Sequence, residues 1–180
     1  MKNIMLDLET MGVSDNAAIM SIGACYFDIN TGAIGECFHQ QVSLASCVER
    51  GMVIDTSTVL WWMKQSDEAR SKFYDNGKCK SLSEVLTDFS AFVVKDAEVW
   101  GNGSCFDNTI LRNAYRSAGF IVPWEFWNDR DVRTIVAMGK MIGFDPKTSV
   151  PFMGVRHDAL ADAMHQAKYV SLIWDKLKNA

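Results

Sequence analysis

No window of about 18 apolar residues occurs in this 180-residue chain, and its start carries no basic segment followed by a long apolar one. Neither a membrane span nor a secretory leader is expected. Cysteine is sparse and shows no pattern: five residues at 25, 37, 47, 79 and 105, odd in number and without a Cys-x-x-Cys pair. That excludes the common zinc and dithiol signatures and fits reduced thiols in a cytoplasmic protein. Three prolines and no Pro/Gly-rich tract leave nothing that divides the chain, and 48% hydrophobic content suffices for a substantial core, so residues 1–180 are expected to fold as one domain. Repeats and low-complexity segments are absent as well. Cations are outnumbered, with 18 Lys and Arg against 22 Asp and Glu, for a net charge of −4. A protein that coats nucleic acid by tracking many phosphates is thereby disfavoured, whereas one that grips a few terminal nucleotides is not.

What is present begins in the apolar run Ile4-Met5-Leu6-Asp7-Leu8-Glu9-Thr10. The run contains no turn residue and reads as a strand, whose period of two points Asp7 and Glu9 to the same face. Like charges that close disfavour joint ionisation unless a cation neutralises them, which makes the pair a candidate divalent-metal site of hard oxygen ligands. On its own, Asp-x-Glu fits a strand end with acids in solvent better. Two further acidic contexts shift that balance. Asn102-Gly103-Ser104-Cys105-Phe106-Asp107 follows the short apolar strand Glu98-Val99-Trp100-Gly101, and Asp107 introduces a helical stretch over 108–118 that Gly119 should stop. Near the C-terminus, His157 precedes a long helix capped by Asp158, with Asp162 just over one turn inside it.

Acid-x-acid on a first strand, Asp after a central strand, then His with Asp five positions on: the order and local contexts resemble the DEDDh 3′-to-5′ exonucleases of the ribonuclease H-like superfamily. The resemblance covers nearly the whole chain. The segments Asp7-Leu8-Glu9-Thr10-Met11-Gly12, Trp61-Trp62-Met63-Lys64-Gln65 and Arg130-Asp131-Val132-Arg133-Thr134 are more narrowly similar to a phage and bacterial branch, which includes exonuclease A of T-even phages and a mycobacterial exoribonuclease.

The resemblance implies an α/β fold with a mixed five-stranded sheet and helices on both faces. It also implies hydrolysis of single strands from their 3′ ends to 5′-mononucleotides, with RNA favoured over DNA and a homodimer left open. Asp7, Glu9, Asp107 and Asp162 would hold two magnesium ions, for which manganese can substitute. Asp7 would bridge both ions, Glu9 and Asp162 would complete the site holding the attacking water, and Asp107 would support the second ion. His157 would be the general base, since an imidazole titrates near neutral pH. Met11, Gly12, Trp62, Phe106 and Arg133 are the candidate substrate contacts. Gly12 would permit close approach of the nucleotide, Trp61 or Trp62 would stack on it, and Arg133 would reach a phosphate. His39 and His165 read as structural or solvated, and Trp124 and Trp127, which flank a turn after Pro123, as packing residues. A polymerase-associated proofreading subunit would share every catalytic residue, a non-catalytic module would usually lack an acid, and a ribonuclease H-type endonuclease would lack the histidine spacing.

The remaining pattern agrees with that fold. Residues 18–28 and 34–42 flank the turn Asn30-Thr31-Gly32 and predict a hairpin. A helical region is expected over 55–74, broken near Ser66, and Ser81-x-x-Glu84 is a capping-box start for a helix to about Val94. A strand is expected near Phe126 and a helix over 131–141.

Overall fold

The computed structural model describes residues 1–71 and 79–179, so the end of the helical region expected to reach Tyr74 lies outside the described residues. Strands β1 (Asn3–Thr10), β2 (Ile19–Phe27) and β3 (Ile34–Gln41) come first. Three short helices follow: α1 (Leu44–Glu49), α2 (Thr56–Trp62) and α3 (Asp67–Arg70). Helix α4 (Leu82–Phe92) leads into β4 (Glu98–Gly101), α5 (Asp107–Ala118), β5 (Asp129–Asp131), α6 (Val132–Met141) and α7 (Ala159–Lys178).

The sheet has the order β3-β2-β1-β4-β5. Strand β1 pairs antiparallel with β2 and parallel with β4, which places it at the centre of a mixed five-stranded sheet. Alternation along β1 sends Ile4, Leu6 and Leu8 into a core shared with α4 and α5, while Met5 enters a second core beneath α6 and α7. Helices therefore cover both faces. Asp7 and Glu9 share parity with Met5 and so face α7.

Local chemistry explains most boundaries. Ser81 Oγ accepts from the Glu84 N–H and Glu84 Oε2 accepts from the Ser81 N–H, so the capping box starts α4 as expected. Ser66 caps α3, which is where the helical region breaks. Gly119, at φ 75°, ends α5 in the left-handed conformation that suits glycine. Helix α1, capped by Ser43, was not foreseen, because six residues with one buried side chain leave no helical period to read.

Two expectations need correction. Residues Phe126–Asn128 form a 3-10 turn, and the strand comes immediately afterwards at Asp129–Asp131. Trp124 is buried with its indole N–H donating to Asp129 Oδ1, but Trp127 is 62% exposed and stacks edge-on against exposed Phe126 rather than packing inside. No helix among the described residues is long and apolar enough to cross a membrane.

Candidate active site

Two glycines let the site close. Gly23 lies opposite Asp7 in the β1–β2 register, and a Cβ there would fall 2.1 Å from the Ala159 carbonyl carbon. Only glycine permits the first turn of α7 to press onto the sheet beside Asp7. At Gly101 a Cβ would stand 2.4 Å from Asn108 Oδ1 and 3.2 Å from Asp107 Cβ, so the start of α5 closes down on the end of β4 in the same way. The acids of three separate elements thereby meet at one edge of the central strand.

Asp7, Asp107 and Asp162 are each fixed by a specific donor. Asp107 is 3% exposed, and its Oδ1 accepts the Leu8 backbone N–H at 3.1 Å. One carboxylate oxygen is thus tied to β1, and Asp107 stands as the first helical residue of α5, with Phe106 at the cap position. Asp162 Oδ2 accepts the His157 backbone N–H at 2.9 Å. His157 has φ 62°, an uncommon left-handed geometry for a residue with a Cβ, and this strain is held where the chain turns its ring into the cleft. The imidazole stands edge-on to Trp61 and Trp62, with centroids 5.0 and 6.0 Å away. Asp7 Oδ1 accepts from Gln166 Nε2 at 2.7 Å. Gln166, one turn beyond Asp162 on α7, was not anticipated, since a lone glutamine on a helix carries no distinctive sequence signal.

The electrostatics follow from crowding. Burial first, then the charges of Asp107, Glu9 and Asp162, hold the Asp7 carboxyl well above the ordinary aspartate range. Burial pushes Asp107 up to about 7, against the Leu8 N–H and the opposing pull of Arg133. Asp162 is also raised, chiefly by burial, with the His157 N–H opposing. Glu9, His157 and Asp162 each offer a ligand atom, and these atoms lie within 4.8 Å of one another. Carboxyls that resist ionisation together, next to an imidazole, form a donor set that a hard divalent cation fits.

A family model described as the 3'-5' exoribonuclease Rv2179c-like domain matches residues 2–174. The chain belongs to this family. An exodeoxyribonuclease of Enterobacteria phage T4 is 28% identical to this Rv2179c-like domain, over 74% of the chain and 70% of the relative. Among solved structures, the nuclease domain of 3'hExo, described as a DEDDh family member bound to rAMP, has a TM-score of 0.59 at 13% identity, covering 97% of this chain and 92% of the other. Exonuclease I of E. coli in complex with a dT13 oligonucleotide gives 0.66 at 15% identity, covering 98% of this chain and 42% of that one. The fold is that of these ribonuclease H-like enzymes. As a member of that family the chain is a 3'-5' exonuclease, a hydrolase of phosphodiester bonds, and it shares its fold with the DEDDh family member above.

The structure brings Asp7, Glu9, Asp107, His157 and Asp162 together but divides the expected substrate contacts of the Rv2179c-like domain. A slot of about 420 Å³ opens beside Glu9 and is lined by Gly12, Thr58, Trp61, Trp62 and Phe106. Met11 does not line it. The β1–β2 register shifts between Glu9 and Thr10, which breaks the alternation and turns Met11 into the core at 5% exposure. Gly12 borders the slot, and a Cβ there would stand 3.1 Å from Ala17 Cβ, so packing also constrains this position. Trp62 is 3% exposed and donates its indole N–H to the Thr10 carbonyl, whereas Trp61 is 44% exposed and offers the open face. Arg133 lies outside the slot, against Gly103 in a separate hollow.

Proposed function

We propose that this protein shortens single-stranded nucleic acid from its 3′ end, releasing 5′-mononucleotides, with RNA preferred over DNA. The observation that carries the reading is the convergence of four carboxyls and His157 at one end of an aromatic slot. The family's description as an exoribonuclease favours RNA, although the phage relative is named for DNA.

Asp7, Glu9, Asp107 and Asp162 would hold two magnesium ions, which supply a nucleophilic water and neutralise charge on the transferring phosphoryl group. Gln166 keeps one Asp7 oxygen occupied, which orients the other. His157 is the general base: its ring is braced by Trp61 and Trp62, and it takes the proton of the attacking water and returns it to solvent. As the water oxygen bonds to phosphorus, the bond to the 3′ oxygen of the preceding nucleotide breaks and a nucleoside 5′-monophosphate leaves. Trp61 and Phe106 hold the terminal base, with stacking worth roughly 1 to 3 kcal/mol.

The test is a time course on RNA and DNA strands of the same sequence with magnesium, resolving products by chromatography. Expected are 5′-mononucleotides appearing from the first time point, faster from RNA, because a contact to the terminal 2′-OH is lost with DNA. Internal fragments as first products would overturn the exonuclease reading, and equal rates would overturn the preference for RNA.

A further inference from the structure

Among the described residues, a second groove also meets the acid cluster beside the aromatic slot. This groove, about 470 Å³, shares no lining residue with the slot and reaches the cluster at Asp162 and Gln166. Its wall is built by the chain between α6 and α7 and by the inner face of α7, and it carries Lys147, Arg156 and Asn102. An adjoining hollow of about 410 Å³ shares Asn102 and Lys147 and adds Arg133 and Lys140. In a chain of net charge −4, four cations thus gather along one path that ends at the acids. Lys140 is paired with Asp145 at 3.3 Å, but Arg133, Lys147 and Arg156 form no ion pair with a carboxylate among the described residues.

The groove also contains polar atoms that lack partners. Tyr169, 1% exposed, and Gln166, 4% exposed, both line it, and the buried Tyr169 hydroxyl and Gln166 Oε1 have no hydrogen-bond partner among the described residues. Buried polar groups without partners are rare in folded proteins, and these two belong to residues that form the groove wall. The two grooves differ in chemistry as the two parts of a nucleotide chain do: one presents aromatic faces suited to a base, the other cations and hydrogen-bonding groups suited to a sugar-phosphate backbone.

We propose that the groove of Lys147, Arg156 and Arg133 binds the phosphates on the 5′ side of the scissile bond, so that a strand crosses the acid cluster with its last base in the Trp61 slot. The direction assigned to the strand rests on the exonuclease function proposed above. A dinucleotide then fills the slot and the cluster only. Each added nucleotide brings another phosphate to a cation.

Binding of 5′-fluorescein strands of two, three, four and six nucleotides, followed by anisotropy with calcium in place of magnesium to stop turnover, tests this directly. Affinity is expected to rise about tenfold or more from two to six nucleotides and to fall with salt. Lys147→Ala and Arg133→Ala should each weaken the six-nucleotide strand several-fold and reduce its salt slope by about 0.7. Lys147→Glu should weaken it further, and circular dichroism checks that each variant is folded. Wild-type affinity that does not change with length, or folded Lys147→Glu binding six nucleotides as tightly as wild type, would overturn the groove. Mononucleotide release from the same strands with magnesium reports separately on the exonuclease function. Strands bound with the expected length dependence but never shortened would remove that function and leave the groove standing.

Discussion

Metal-free protein should lose stability as pH rises from 5 to 7, the reverse of ordinary acid denaturation. Asp107 sets the size of the effect, because burial holds its carboxyl at about 7 against 3.8 in an unfolded chain. Below pH 3.8 both states carry the proton. Between 3.8 and about 7 the folded state keeps a proton that the unfolded state has lost, so folding stability falls by about 1.4 kcal/mol per pH unit for this one group. Across pH 5 to 7 that amounts to roughly 2 to 3 kcal/mol, or about 5 to 10 °C in Tm for a chain of this length. Asp7 and Asp162, also raised chiefly by burial, act in the same direction, while His165, lowered by burial, acts in the opposite one. The carboxyls of Glu84, Asp88, Glu98 and Asp131 are lowered, so their stabilising contribution is already complete above about pH 5 and does not compete in this window. The assay is thermal unfolding in excess chelator from pH 5 to 8. Asp107→Asn retains an oxygen for the Leu8 N–H while removing the charge, so it should flatten the slope and raise Tm at pH 8. Saturating magnesium should flatten the wild-type slope, because ion binding favours the ionised cluster. A wild-type Tm that rises from pH 5 to 7, or an Asp107→Asn profile parallel to wild type, would refute the reasoning.

Other outcomes follow from the same geometry. Asp7→Asn and Asp162→Asn should each lower the hydrolysis rate by orders of magnitude while leaving circular dichroism unchanged, and undiminished turnover in chelator would show that the acids hold no essential metal. His157→Ala is expected to cost about 10² to 10⁴ in rate and to abolish the rise of activity with pH near neutrality; a pH–rate profile shaped like wild type would place the base elsewhere. Trp61→Ala should raise KM about 5- to 100-fold with little loss of Tm. Trp62→Ala should instead lower Tm by several degrees, since it empties a buried site and frees the Thr10 carbonyl, and thermal scans of the two variants distinguish these roles.

The candidate catalytic set was read from three motifs in a recognisable order rather than from any one of them, each at a clear element boundary. Asp7 and Glu9 sit on a strand whose alternation is unbroken up to residue 9, and Asp162 follows a cap, Asp158, whose side chain accepts the Ala161 N–H as the pattern suggests. The sheet was legible through the hairpin turn and the buried run of β2. The substrate contacts were less so. Met11 was placed by its position after the first motif of the resemblance, but the register shift after Glu9, which no residue type there announces, turns it into the core. Adjacent helix positions differ by about 100°, so only one of Trp61 and Trp62 could face inward, but which of them did so depended on the Thr10 carbonyl that holds Trp62. Gln166 and the groove of Lys147 and Arg156 arise from pairing between distant segments, and their sequence surroundings read as ordinary solvated helix and loop. Trp127 reads as core by residue type, yet it occupies a 3-10 turn beside a three-residue edge strand that offers no interior to fill.

The most direct test of 3′-end exonuclease action compares one RNA sequence, 5′-labelled, in three forms: with a free 3′ hydroxyl, with a 3′-phosphate, and as a covalent circle, each with magnesium and with chelator. Expected is a ladder of products shortened one nucleotide at a time from the free 3′ end, strong inhibition by the 3′-phosphate, no cleavage of the circle and no reaction in chelator. Cleavage of the circle, or of the 3′-phosphorylated strand at the rate of the free one, would contradict it.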